Sequence, residues 1–234
     1  MKTVILGDIH GRTIWKDILK AEGTYDRVIF IGDYVDTHED ITGLEQLLNL
    51  EEIIQFKETA FDFKVILLIG NHDFQYWPGV NNERYSGFQA GMYHSFQDIF
   101  NRNKDLFQMC FVDENDTIYS HAGFTESFIN QRIGTFSEKN VNDIFKYKPQ
   151  TFNFFYGDRS GCGDDERQSC IWVRPNSLHR DKLDNLQVVG HTTVGTINHP
   201  PKSERKGFYL IDALASRQYL VLNDKKFEIK QLPK

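Results

Sequence analysis

The chain has 234 residues, 40% of them apolar and 26% charged. That balance excludes a disordered chain, because enough apolar surface is present to build a core. The formal charge of −6 excludes a protein dedicated to duplex nucleic acid, which needs a basic face, and the run of about 18 apolar residues that crosses a membrane is absent. Met1 to Asp8 contains too short an apolar run for a secretion signal. Three cysteines, an odd number, argue against a disulfide framework, so a reducing, cytoplasmic setting is expected. The length fits one domain over residues 1–234, large enough to bury a full core.

Thr3 to Leu6 is a β-branched-rich run broken by Gly7-Asp8, and Thr13 to Ala21 places Ile14, Ile18 and Ala21 at helical spacing. Arg27 to Ile31 and Lys64 to Ile69 are two more apolar runs, with a helix expected between them from Ile41 to Phe56, using Leu44, Leu47, Leu48 and Ile54. Apolar strands alternating with helices predict a sheet covered on both faces. Further on, Phe107 to Val112 and Thr117 to Ser120 read as strands joined by the turn Asp113-Glu114-Asn115-Asp116. Helices are expected at Thr125–Ile133 and Ser137–Lys146, then a long excursion over residues 149–170. Leu186 to Val189 reads as a buried strand, and Phe208–Ile211, Gln218–Leu222 and Phe227–Leu232 as antiparallel strands closing the chain. The fold class predicted is α/β, with two mixed sheets packed as a sandwich and helices outside.

The chemistry sits just after the strands. The first three end in Gly7-Asp8-Ile9-His10-Gly11, Gly32-Asp33-Tyr34-Val35-Asp36 and Gly70-Asn71-His72-Asp73, and two later ones in Ser120-His121-Ala122-Gly123 and Gly190-His191-Thr192. Ligands gather at the carboxyl ends of strands in open α/β sheets, and carboxylate, imidazole and amide donors suit divalent ions such as manganese, iron or zinc. Taken singly, each fragment is ordinary turn chemistry; five in step with five strands form a pattern.

That ordered set resembles the calcineurin-like metallophosphoesterases, and within them the phosphoprotein phosphatase branch, which includes bacterial and phage serine/threonine phosphatases and diadenosine tetraphosphate hydrolases. The resemblance implies two divalent metal ions, with Asp8 and His10 on the first, Asp33 bridging, and Asn71, His121 and His191 on the second. It implies in-line attack on phosphorus by a water held between the ions, His72 as general acid and Asp36 as the carboxylate orienting it. Arg174, in Trp172-Val173-Arg174-Pro175, is the expected phosphate clamp, with Arg12 the weaker candidate. The chain departs from the pattern at Thr37, where the family has arginine, and mildly at Asp73, which stands in place of Glu; Thr193, where broader members have histidine, fits the phosphoprotein phosphatase branch.

A phosphatase acting on phosphorylated protein or a small phosphorylated molecule is the reading these motifs favour. A dinucleoside polyphosphate hydrolase is the alternative, in which Phe152, Phe154, Phe155 and Tyr156 would offer a stacking surface for bases. A phosphoprotein-binding module without turnover is a third. Cys110, Cys162 and Cys170 read as free thiols, Lys202, Arg205 and Lys206 as a solvated loop, and His94, His179 and His199 as residues outside any motif. No oligomeric state is implied.

Overall fold

Strand β1 (Lys2–Leu6), helix α1 (Ile14–Glu22), β2 (Arg27–Phe30), α2 (Gly43–Glu58), β3 (Lys64–Leu68) and the single turn α3 (Asn71–Phe74) open the fold. They are seen in a computed structural model that describes residues 1–80, 85–157, 163–200 and 207–233. The three strands are parallel, with Val4 beside Val28 and Val28 beside Val65. Their side chains alternate between two cores. Val4, Leu6, Val28, Phe30, Val65 and Leu67 pack with helix residues such as Trp15, Ile18, Leu50 and Ile53. Ile5, Ile29, Ile66 and Leu68 pack instead with Phe111, Tyr119, Val188 and Tyr209 of a second sheet. Burial on both faces is why these strands read as unbroken apolar runs.

The rest of the chain supplies α4 (Tyr93–Asn103), β4 (Phe107–Gln108), β5 (Cys110–Val112), β6 (Ile118–Ser120), α5 (Glu126–Phe128, running into a π turn over Ile129–Ile133) and α6 (Glu138–Tyr147). Then come α7 (Pro175–Asp181), β7 (Gln187–Val189), β8 (Phe208–Leu210), β9 (Gln218–Asn223) and β10 (Lys226–Gln231). One sheet has six strands in the order β10-β9-β1-β2-β3-β4 and the other four in the order β5-β6-β7-β8. Both mix parallel and antiparallel pairs, so the expected sandwich of two mixed sheets with outer helices is the observed fold.

Three local expectations are corrected. The run Phe107–Val112 is two strands in different sheets. The Met109 and Cys110 N–H groups both donate to Asn142 Oδ1, at 2.9 and 3.2 Å, and the chain changes sheets at that point. Strand β8 is not antiparallel to β9: it lies parallel to β7 on the edge of the second sheet, while β9 pairs with β1 in the first. On α2, Leu44 and Leu48 are exposed, at 59% and 50%, whereas Gln46 and Asn49 are buried. The helix turns that way because Asn49 Oδ1 accepts the Trp15 indole N–H at 3.0 Å and its amide donates to Arg12 O at 3.2 Å. Thr42 and Glu45 form a capping box that starts this helix two residues later than expected. Helices α4 and α7 had no sequence expectation.

Among the described residues no helix is long and apolar enough to cross a membrane. Cys110 and Cys170 are free and buried; Cys162, Lys202, Arg205 and Lys206 lie outside the described residues. His94, His179 and His199 are exposed.

Candidate metal centre

Backbone hydrogen bonds join four of the five loops in two pairs, and side chains join the rest. His10 N donates to Asp33 O at 2.7 Å and Gly11 N to Tyr34 O at 2.9 Å, joining the loops after β1 and β2. Gly190 N donates to His121 O at 2.7 Å, joining those after β6 and β7. The glycine before each polar residue has a steric cause. A Cβ on Gly70 would sit 2.1 Å from Asp33 Oδ1, and one on Gly190 would sit 2.0 Å from Asp8 Oδ1. His10, Asp33, Asp36 and His191 all have positive φ, between 46° and 67°, a left-handed backbone that costs non-glycine residues about 1–3 kcal/mol each. Strain of this kind gathers where a structure holds side chains in fixed directions.

Asp8, His10 and Asp33 bring one ligand atom each within 4.8 Å of one another, close enough to share an ion. Asp33 faces two ways: its Oδ2 is 3.8 Å from His10 Nε2 and 3.3 Å from His121 Nε2. On the far side, Asn71 Oδ1 is 2.9 Å from His121 Nε2 and 2.8 Å from His191 Nδ1. All six candidate ligands therefore converge, four from loops of the first sheet and two from the second.

The donor set fits cations. His10 Nδ1 and His121 Nδ1 donate to the carbonyls of Val35 and Ile31, both at 3.1 Å, and His191 Nε2 donates to Trp172 O at 3.1 Å. Those bonds fix each tautomer and turn the other ring nitrogen, with its lone pair, into the cluster. There it meets the lone pairs of Asn71 and Asp33, an arrangement that repels itself unless positive charge lies between. Burial, then the charges of Asp212 and Asp33, push the Asp8 carboxyl well above the usual carboxylate range. Burial and then His121 push the His191 imidazole down, keeping it neutral as a ligand must be.

His72 lies on the rim of the cluster. Its backbone N–H donates to Asp33 Oδ1 at 2.9 Å and its Nδ1 is 3.4 Å from Asp36 Oδ2. Burial disfavours its charge, yet Asp33 and the bond to Asp36 prevail and raise its pKa to about 9. Asp36 caps no helix; its carboxylate is fully buried. Arg174 stands at the N-cap of α7 and donates to His191 O and Thr192 Oγ1, both at 3.1 Å, which brings its guanidinium to the second half of the cluster. Arg12 is engaged elsewhere: Nε and Nη2 donate to Glu39 Oε1 at 3.0 and 2.7 Å, and Nη1 to Asp8 O at 3.3 Å. Thr37 Oγ1 accepts the Glu39 N–H at 3.0 Å, so the threonine shapes the turn that presents this acid to Arg12. Thr193 donates to the buried Asp212 at 2.6 Å.

The aromatic excursion divides. Phe152 is fully buried in the core, and Phe155 lies under the Arg167 guanidinium at 4.4 Å. Phe154 packs with Trp172 at 5.3 Å and Tyr85 at 6.0 Å, and Trp172 in turn approaches His191 at 6.3 Å. Tyr156 is 67% exposed. Sequence reading missed Asp73 as a backbone clamp, Asp212 beside Asp8, and Gln46, Gln75, Tyr76 and Gln89 around Asp36. Of these only Asp73 carried a signal, its place at the end of Gly70-Asn71-His72-Asp73.

A sandwich whose strand ends gather carboxylates, imidazoles and an amide around a cation site defines a metal-dependent phosphoesterase, a hydrolase. The chain belongs to the calcineurin-like phosphoesterase family, which matches residues 1–217 and works with divalent ions. Its fold is similar to that of a cold-active protein tyrosine phosphatase, with a TM-score of 0.65 and 16% identity over 97% of this chain and 75% of that one. It is also similar to a protein serine/threonine phosphatase from Saccharomyces cerevisiae with similarity to human phosphatase PP5. There the TM-score is 0.59 and the identity 13%, over 100% of this chain and 81% of that one. At such identities the likeness is one of fold. No curated protein sequence matches the chain.

Proposed function

We propose that the chain hydrolyses phosphate monoesters at a binuclear centre and acts on phosphorylated serine or threonine in proteins. The observation that supports this most is Asp33, whose Oδ2 lies between His10 Nε2 and His121 Nε2 at 3.8 and 3.3 Å, the position of a bridging ligand. Asp8, His10 and Asp33 would hold one ion, and Asp33, Asn71, His121 and His191 the other. When bound, the ions, manganese first and iron or zinc otherwise, supply Lewis acidity and an activated water.

The chain's own residues handle the substrate. Arg174 offers a cation for phosphate oxygens beside His191. His72, its Nδ1 turned to Asp36, keeps Nε2–H for the departing oxygen. An aliphatic alkoxide is a poor leaving group without a proton, so a buried carboxylate dedicated to this histidine favours alkyl monoesters such as phosphoserine. It also disfavours a binding module without turnover. The Saccharomyces cerevisiae neighbour is a protein serine/threonine phosphatase, which agrees with the reading. The aromatic group Tyr85, Phe154 and Trp172 beside His191 favours a second reading, hydrolysis of dinucleoside polyphosphates.

The test is metal-stripped protein, repleted with manganese and assayed on p-nitrophenyl phosphate, bis-p-nitrophenyl phosphate, a phosphoserine peptide and diadenosine tetraphosphate. Chelator-sensitive turnover of the monoester and the peptide is the expected result. Preference for the dinucleotide installs the second reading, and silence on all four with both ions bound rejects an enzyme of this class.

A further inference from the structure

The carboxylate of Asp36 is held by three uncharged donors from two other segments, Gln75 with Tyr76 and Gln89. Gln89 N–H donates to the Tyr76 hydroxyl oxygen at 2.8 Å, so that hydroxyl's own proton is directed at Asp36 Oδ1, 2.7 Å away. Gln89 Nε2 places its two protons on Asp36 Oδ1 at 3.0 Å and Gln46 Oε1 at 2.9 Å. Gln46 Oε1 also accepts the Asp36 N–H at 2.8 Å, while its amide nitrogen donates to Ile41 O at 2.9 Å. Gln75 Nε2 donates to Asp36 Oδ2, and its Oε1 accepts the Tyr85 N–H at 3.0 Å. The Gln46 and Gln75 amides each have partners on both oxygen and nitrogen, and the Gln89 amide nitrogen has two acceptors, so all three are oriented.

Residues 85–89 form the roof of this network. Phe88 stacks on Tyr76 at 5.3 Å and 11°. Gly87 has φ +84°, and a Cβ there would lie 3.2 Å from Asp36 Cβ and 3.5 Å from His72 Cε1. None of the donors is charged. Among the described residues, His72 is the one titratable cation within hydrogen-bond reach of Asp36. An arginine or lysine here would take the carboxylate's charge for itself; three neutral donors satisfy its lone pairs and leave the charge to the histidine.

We infer that Tyr76, with Gln75 and Gln89, is a positioning residue for proton donation: it aims the Asp36 carboxylate so that His72 presents Nε2–H to the leaving oxygen. This rests on His72 being the acid in the reading above. As the phosphorus–oxygen bond breaks, its electron pair stays on the leaving oxygen, which takes the Nε2 proton. Neutral His72 keeps Nδ1–H on Asp36 and recovers its proton from water. Removing the Tyr76 hydroxyl leaves Asp36 Oδ1 with only the Gln89 amide of its two donors and so loosens the carboxylate and weakens the donor's aim, without touching a metal ligand.

The experiment is steady-state kinetics on aryl phosphates of graded leaving-group basicity, from p-nitrophenyl to p-methoxyphenyl, using the manganese-loaded protein with bound metal counted. Tyr76→Phe and Gln89→Leu are compared with wild type and with His72→Asn. In Tyr76→Phe, kcat should fall more on the basic leaving group than on p-nitrophenol, changing the ratio about tenfold while metal content holds. His72→Asn should change the same ratio further. An equal fall on all substrates, or a fall that tracks metal loss, overturns the inference. If His72→Asn itself leaves the ratio unmoved, the acid assignment fails; if it moves the ratio and Tyr76→Phe does not, the inference alone fails. Should Tyr76→Phe not fold, Gln89→Leu, on the half-buried roof, decides by the same ratio.

Discussion

Asp73 grips Asp33 by the backbone: its Oδ2 accepts the Asp33 N–H at 2.7 Å and the Gly70 N–H at 2.9 Å, while Oδ1 takes the Tyr34 N–H at 2.7 Å. One fully buried carboxylate thus ties the loop after β2 to the loop after β3. Asp73→Asn turns an amide donor toward at least one of these N–H groups. It should lower stability by about 1–3 kcal/mol and reduce bound metal, read by urea melts and elemental analysis. Full stability with two equivalents of metal would mean that the clamp does not set the geometry of Asp33.

Stripping metal should lower the melting temperature. Lone pairs of Asp33, Asn71, His121 and His191 face one another in the cluster, and ligand binding to the folded state contributes about 2.7 kcal/mol at a hundredfold excess over Kd. Calorimetry with and without chelator reads the difference. Asp33→Asn, which weakens both halves together, should abolish most of it; a variant that keeps the whole shift would refute a bridge.

His72→Asn should cut kcat on phosphate monoesters by about 10²–10⁴-fold with the metals retained. Turnover unchanged from wild type would remove His72 from the reaction.

The two arginines should separate kinetically. Arg174 reaches His191, whereas Arg12 is held by Glu39. Arg174→Ala should raise KM for a monoester about tenfold, the scale of one charge-assisted hydrogen bond. Arg12→Ala should move it less, and Glu39→Gln should lower KM by releasing the Arg12 guanidinium. A larger effect from Arg12→Ala would reverse the assignment.

Acid sensitivity should trace in part to Glu22. Its carboxylate is buried and accepts from Lys2, Lys230 and the Tyr219 hydroxyl, at 2.6, 2.9 and 2.7 Å. Burial alone would raise its pKa; these three partners prevail and lower it. A depressed folded pKa gives stability that is fully present above the unfolded value of about 4.3 and lost as pH falls through the folded one. Wild type should therefore exceed Glu22→Gln most at neutral pH, and the gap should shrink toward pH of about 3. A gap of equal size at both ends would show that packing, not ionisation, matters here.

Much of the site was legible because its cause is local. A glycine precedes Asp33, Asn71 and His191 where a Cβ would strike a neighbouring loop or ligand, and a buried strand precedes the glycine, so apolar run, glycine and polar residue stand next to one another in the sequence. The change of sheet at Met109 was not legible: the hydrophobic pattern is the same on both sides, and the group responsible, Asn142, lies 33 residues away. Gln46, Asn49, Gln75 and Gln89 look like solvent-facing residues in any one-dimensional reading. They are buried or half-buried because each has a polar partner on a distant segment. Leu44 and Leu48 mislead in the opposite sense.

The bond from His191 N to Asp8 joins residues 183 positions apart. A chain emerging from the ribosome has made Asp8, His10 and Asp33 long before it has made His121 and His191. With the ligand set proposed above, the centre would be a late product of folding: an unfinished chain would offer an ion only part of that set, and full occupancy would wait until the second sheet has docked. Metal uptake during synthesis would then report completion of the fold, and a truncated chain would be screened out by its inability to retain both ions.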